Sequence, residues 1–175
     1  MDINTENWKI INGFDNYEIS SCGRVRNATT ERILKPIDNG HGYLRVGMYK
    51  DSRTNYRMMH VLLANAFIDN PHNKPCVDHI DGHKQNNCLE NLRFATHAEN
   101  SRNSTKTNLA RSSMYKGVYL NKPAKKWMAY IRIIGRLKNL GYYTSEREAA
   151  EAYNAAATLH YKEFARLNEF DDCDL

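Results

Sequence analysis

Hydrophobic residues change period within one short stretch of this chain. The segment GYLRVGMYK (42–50) alternates Tyr43, Arg45, Gly47 and Tyr49 against Leu44, Val46, Met48 and Lys50, the period of a half-buried strand. In RMMHVLLANAFI (57–68), Met58, Leu62 and Ala66, and then Val61, Asn65 and Ile68, recur at helical spacing. DNPHNKP ends that segment with prolines at 71 and 75. Such switching calls for short strands and short helices in series, an α+β chain. The 175 residues fit one ordinary domain or two to three small modules. With a mean hydropathy of -0.73, several small cores are expected rather than one large one.

WKIINGFDNYEISSCGRVRN (8–27) places apolar and aromatic residues at short spacing around Gly13 and Gly23, which predicts a small antiparallel sheet. Trp8, Tyr17 and Ile19 are its expected core. His60 lies on the helix at 57–68, where a histidine satisfied at the edge of the core is expected. Val77 to Asp81 reads as a strand entering a turn at Gly82, with Leu89, Leu92 and Phe94 as a small core. Thr96 and Glu99 form a capping box that starts a helix. SRNSTKTNLARSS (101–113) reads as a polar linker. Three strands follow in YKGVYLN, KWMAYIRII and LKNLGYYT. A helix over 145–161, capped by Ser145 and Glu148, carries Ala149, Ala152, Tyr153, Ala156 and Leu159 on one face. Tyr142, Tyr153 and Ala156 are expected in the core, and Trp127 fits either core or contact.

Charge is unevenly distributed. Ser101 to Ser145 holds ten Lys or Arg and no Asp or Glu, whereas the last five residues carry three aspartates. A basic block without acids suits a polyanion partner. Cys22, Cys76, Cys88 and Cys173 form no C-x-x-C pair, so no zinc-finger framework is visible. No 18-residue apolar run or signal-peptide pattern occurs. The expectation is a soluble, cytoplasmic, nucleoid-associated protein with no membrane partner.

The chemistry concentrates in VDHIDGHKQNN (77–87). Phosphodiester hydrolysis needs an activated water, a Lewis acid at the phosphate and help for the leaving oxygen. Asp78 offers a carboxylate to a hard cation, and asparagine amides offer weaker oxygen ligands. His79 suits a general base, because an imidazole is the side chain that ordinarily exchanges a proton near neutral pH. Asn91 offers a side chain or a backbone carbonyl to orient that ring. Asp81 suits the turn at Gly82, and His83 and His97 suit the surface.

Residues 60–103 resemble the HNH nucleases with a ββα-metal fold. The carrying residues are the pair Asp78–His79, the central Asn91 and the helix residue Asn100, in an H-N-N pattern. The resemblance implies that His79 is the general base, Asp78 and Asn100 bind one Mg²⁺ or Mn²⁺ ion, and Asn91 holds the loop bearing His79. Residues 8–26 resemble a small nuclease-associated module found before such domains in homing endonucleases, with Arg24 and Arg26 reaching phosphate. Residues 115–170 resemble the ethylene-response-factor DNA-binding domain through YKGV, WMAYIR, LGYY, EAAEAYNAAA and the closing Leu167-Asn168. The matching contact positions are Lys116, Tyr119, Asn121, Arg132 and Lys138, with Lys122 and Arg136 nearby; Arg102 and Arg111 are linker cations suited to phosphate.

The expected organisation is a small N-terminal β module (1–55), a central ββα-metal HNH nuclease (56–104), a basic linker (105–113), a three-stranded antiparallel sheet plus one helix (114–170) and an acidic tail (171–175). The expected activity is that of a homing-type DNA endonuclease, a monomer that nicks one strand of double-stranded DNA. The rivals are a non-catalytic DNA-binding regulator on a nuclease scaffold and an RNA-binding factor.

Overall fold

The computed structural model describes residues 6–105 and 112–170, which form two compact units divided between Asn100 and Ser101. Among the described residues no helix is long and apolar enough to cross a membrane.

The first unit begins with an antiparallel sheet of β1 (Trp8–Ile11), β2 (Phe14–Ser20) and β3 (Val25–Asn27). A second sheet orders β4 (Ile37–Asp38), β5 (Leu44–Lys50) and β6 (Arg53–Met58). The alternation read in 42–50 is the alternation observed: Val46 and Met48 are fully buried. The helix expected over 57–68 starts two residues later, as α1 (Met59–Phe67). Arg57 and Met58 instead close the ladder opposite Val46 and Arg45, so strand pairing overrides helical period there.

Ile11, Phe14, Ile19, Val25, Val46, Met48, Met59, Leu62, Leu63 and Leu92 form one buried cluster. The N-terminal strands, α1 and the later strand β8 (Leu92–Ala95) therefore share a core. The sequence suggested separate small cores on either side of residue 55. The apolar faces of these short elements are too small to close alone, and α1, buried on several sides, joins them. Strand β7 (Cys76–His79) pairs antiparallel with β8, setting Asp78 opposite Arg93 and His79 opposite Leu92. Thr96 caps the following helix, α2 (His97–Asn103): Glu99 N donates to Thr96 Oγ1 at 3.2 Å and Thr96 N donates to Glu99 Oε2 at 2.7 Å. Ser101 to Asn103, read as linker, are the end of this helix, and Asn103 is buried.

In the second unit, β9 (Val118–Asn121), β10 (Lys126–Ile133) and β11 (Arg136–Tyr143) form a sheet in the order β11-β10-β9. Helix α3 (Glu146–Tyr161) packs on it and starts in a full Ser145/Glu148 capping box. Its buried residues are Ala149, Ala150, Tyr153, Ala157 and Tyr161. The face is rotated from the expected one, so Leu159 is 71% exposed. Tyr142 is also exposed, because it pairs with Met128 on the sheet face away from α3. Trp127 packs with the helix-side cluster.

Asn168 clasps this unit together. Its amide receives Lys116 N at 2.6 Å and donates to Lys116 O at 3.1 Å. Asn154 and Asn168 exchange a second pair at 2.8 and 2.9 Å.

At Gly117 (φ +75°) an added Cβ would lie 2.0 Å from the Tyr153 ring and 2.8 Å from Tyr130 O. A left-handed residue next to rigid neighbours combines backbone strain with overpacking. Gly117→Ala is expected to destabilise the protein by about 2–3 kcal/mol, read as a lower midpoint in urea unfolding followed by Trp127 fluorescence.

Candidate active site

Cross-strand register places the first pair of functional groups. Asp78 is 4% exposed; its Oδ2 accepts from Arg93 Nε at 2.9 Å, and the ion pair also brings Arg93 Nη2 within 2.8 Å of that oxygen. The sequence pointed to Asp78 but not to Arg93; the only signal for Arg93 was its place in the strand directly opposite.

His79 is 5% exposed, and its Nε2 lies 3.0 Å from Asn87 Oδ1. An amide oxygen only accepts, so in this pairing Nε2 carries the proton and Nδ1 the lone pair. Asn87 is thus a hydrogen-bond partner of the ring that the sequence reading did not name. The His79 ring also lies 4.9 Å from the His60 ring and 6.0 Å from that of Tyr43. Tyr43 and His60 are 5.2 Å apart, and Lys84 Nζ sits 4.8 Å above the Tyr43 ring. His60 is not the satisfied histidine expected from sequence: it is buried, and among the described residues its Nδ1 has no hydrogen-bond partner. Burial, and then the neighbouring His79, push its pKa down to about 4.

Asn91 locks the loop that follows His79. Its amide oxygen receives Asp81 N at 3.0 Å, and its Nδ2 donates to Asp81 Oδ1 at 2.9 Å and to Asn86 O at 2.8 Å. Its backbone carbonyl accepts from Ile80 N at 2.8 Å. Asp81 also accepts from His83 N at 2.7 Å and from Asn86 Nδ2 at 2.7 Å. Partial burial raises the Asp81 pKa, but hydrogen bonds from Asn86, His83 and Asn91 outweigh it and hold the carboxyl well below the usual range. Asp81 is therefore spent on loop structure.

Asn100 lies in the first turn of α2, partly exposed, with its N–H on Thr96 O at 3.0 Å. Among the described residues no group of three or more His, Cys, Asp or Glu side chains forms a metal cage. One carboxylate and one amide are hard oxygen donors. Such a sparse set suits a cation that keeps several waters and binds through substrate phosphate as well, the habit of Mg²⁺.

An HNH endonuclease match covers residues 58–102, and a NUMOD4 motif matches residues 6–49. Protein 3.8 of Escherichia phage T7 is 34% identical over 91 residues, 52% of this chain and 74% of that protein. The chain carries an HNH endonuclease domain at residues 58–102. The uncharacterized HNH endonuclease L247 of Acanthamoeba polyphaga mimivirus is 38% identical over 60% of this chain and 27% of its own length. The DNA endonuclease I-HmuI of Bacillus phage SP01 is 34% identical over 55% of this chain and 56% of its length. The chain thus spans less than two thirds of both of these relatives. The solved structure describing DNA binding and cleavage by the HNH homing endonuclease I-HmuI matches with a TM-score of 0.51 and 29% identity, covering 83% of this chain and 82% of that one. The α+β architecture described above is that of an HNH homing endonuclease.

The residues read as phosphate contacts lie in varied settings. Arg24 is paired with Glu6, whose carboxyl it holds down to about 2, mainly through their side-chain hydrogen bond. Arg26 bonds Glu18 at 2.7 Å, faces Glu31 at 3.5 Å and stacks 4.1 Å from the Trp8 ring. Both arginines already serve local ion pairs. Lys116 donates to the carbonyls of Arg102 and Ser104, and burial, with Arg166 adding to it, lowers its pKa to about 8. It caps the C-terminal end of α2. Arg102 lies 4.9 Å over the Tyr161 ring. Arg111 lies outside the described residues.

Register divides the remaining candidates. Tyr119, paired with Met128, and Arg132, paired with Leu137, share the sheet face away from α3. Asn121 is on that face opposite Lys126, and its Oδ1 accepts from Ala124 N at 3.2 Å. Lys138 and Arg136 pair with Ile131 and Ile133, on the helix-side face. Lys122 is exposed in the β9–β10 turn. Tyr130, absent from the sequence reading, and Tyr142, expected there in the core, also lie on the outer face. Alternation along β10 was the signal that could have found Tyr130.

Proposed function

We propose that this protein is a metal-dependent, homing-type endonuclease that hydrolyses one phosphodiester of double-stranded DNA, acting as a monomer and nicking one strand. The observation that carries the reading is the buried Asp78–His79 pair at the end of β7, with its loop locked by Asn91, inside the segment that matches HNH endonucleases.

In this reading His79 accepts the proton of the attacking water at Nδ1 while Asn87 holds the ring through Nε2. The water oxygen bonds to phosphorus, and the leaving sugar oxygen departs and takes up a proton. Asp78 and Asn100 hold the divalent cation, Mg²⁺ or Mn²⁺, which supplies Lewis-acid polarisation of the phosphate when bound. Asn91 keeps the His79 loop in one conformation, so the base is placed before substrate arrives.

The N-terminal strands and the 114–170 module hold DNA on either side of the cutting site. The outer sheet face of that module supports this role. It carries Tyr119, Tyr130, Arg132 and Tyr142, and the strands that build it contain no carboxylate. By its resemblance to ethylene-response-factor domains, this face meets the DNA groove, with arginine on phosphate and tyrosines against bases or sugars. Two weak binding elements on one chain raise each other's effective concentration.

The test is incubation of supercoiled plasmid carrying the gene's own flanking region with Mg²⁺ or Mn²⁺. Open-circle product that disappears with chelator is the expected result. Intact plasmid with retained duplex binding would replace the reading with the DNA-binding regulator. Stronger binding to structured RNA than to duplex would replace it with the RNA-binding factor.

A further inference from the structure

His60 is an expensive residue for the place it occupies. It sits in the buried face of α1 at 7% exposure, and among the described residues its Nδ1 has no hydrogen-bond partner. A buried polar atom left unpaired costs about 1–3 kcal/mol. A phenylalanine would fill similar space without that penalty. The position borders the ring that does the proposed chemistry. The His60 and His79 centroids are 4.9 Å apart at an interplanar angle of 54°, and Tyr43 lies against both rings.

We propose that His60 is a positioning residue of the nuclease site: its ring fixes the plane of the His79 imidazole, and its Nδ1 takes a hydrogen bond made only in the substrate-bound state. The inference rests on the nuclease reading above. Packing alone explains a ring at this position but not a nitrogen whose desolvation no described side chain or backbone group offsets. A nitrogen that waits for a partner is what a pre-organised site requires, since its bond is then formed in the working complex and not before. Burial also keeps His60 neutral near pH 7, so it neither competes with His79 for a proton nor repels the imidazolium formed when His79 accepts one.

The experiment compares wild type, His60→Phe and His60→Asn in the full chain. Four quantities are read: melting temperature, duplex-DNA Kd, single-turnover nicking rate and the NMR signals of the His79 ring. Phenylalanine keeps a ring and removes both nitrogens; asparagine keeps a polar atom near the Nδ1 position and loses the ring. The expected results for His60→Phe are an equal or higher melting temperature, an unchanged Kd and a nicking rate about tenfold lower or less. His60→Asn is expected to nick faster than His60→Phe per folded molecule and to show a broadened or shifted His79 signal. A His60→Phe protein that nicks at the wild-type rate overturns the inference. So does one that melts well below wild type, because the nitrogen would then be supporting the fold. Asparagine no better than phenylalanine removes the hydrogen-bond role. A wild type that never cuts overturns the nuclease reading and this inference with it, whereas an unimpaired His60→Phe beside a cutting wild type overturns the inference alone.

Discussion

His79→Ala is expected to lower the single-turnover nicking rate by about 10²–10⁴-fold while leaving duplex binding within twofold of wild type. In the proposed mechanism the imidazole, buried on a strand with Asn87 on its Nε2, contributes proton transfer at a fixed point rather than attraction of DNA. Removing it leaves Asp78, Arg93 and the Asn91-locked loop in place, since none of their hydrogen bonds described above runs through the ring. The check is a quenched time course with enzyme in excess over plasmid, alongside a filter-binding titration. Equal cutting by both proteins would mean that another group takes the proton. A joint loss of cutting and binding would mean that the site had collapsed.

The second large effect falls on stability. Arg93→Met is expected to destabilise the protein by about 3–5 kcal/mol, because it removes the cross-strand guanidinium from a carboxylate that is buried. Methionine keeps much of the volume, so the loss reports charge compensation rather than a cavity. Divalent cation is expected to restore part of it, and to stabilise this variant more than wild type, because in the proposed site Arg93 and the ion would share the same carboxylate. Urea unfolding with and without Mg²⁺ measures both. A loss under about 1 kcal/mol would show the pair to be well solvated, and equal stabilisation of both proteins by Mg²⁺ would separate Arg93 from the cation's binding.

What could be read in advance depended on how far each feature reaches along the chain. The β5 alternation, the Thr96 and Ser145 caps and the Asp78–His79 dipeptide are local, and each stands in the structure where the sequence put it. Arg93 and Asn87 were missed because their value comes from strand register and from a loop that doubles back, neither of which spacing reveals. Arg24 and Arg26 read as free cations because Glu6 and Glu18 become their neighbours only after β1 to β3 fold. Leu159 and Tyr142 were assigned to the core from a helix phase and a strand parity off by one position. A helical face of alanines tolerates such a shift, since neighbouring alanines are interchangeable against the sheet. His60 looked ordinary because sequence shows that a histidine is present but not whether its nitrogens find partners.

The Asn168 clasp bears on how the protein is made. It joins residues 52 apart, fastening the start of β9 and the middle of α3 to a segment beyond the helix. On the ribosome, the unit that carries Asp78 and His79 has its whole core by residue 95, well before Asn168 is synthesised. The growing chain can therefore complete its cutting half while the sheet-and-helix half is still waiting for its fastening. On the proposed reading, that order means the residues of the hydrolytic centre are folded during translation before the C-terminal of the two DNA-holding elements, and the interval between the two is set by elongation speed.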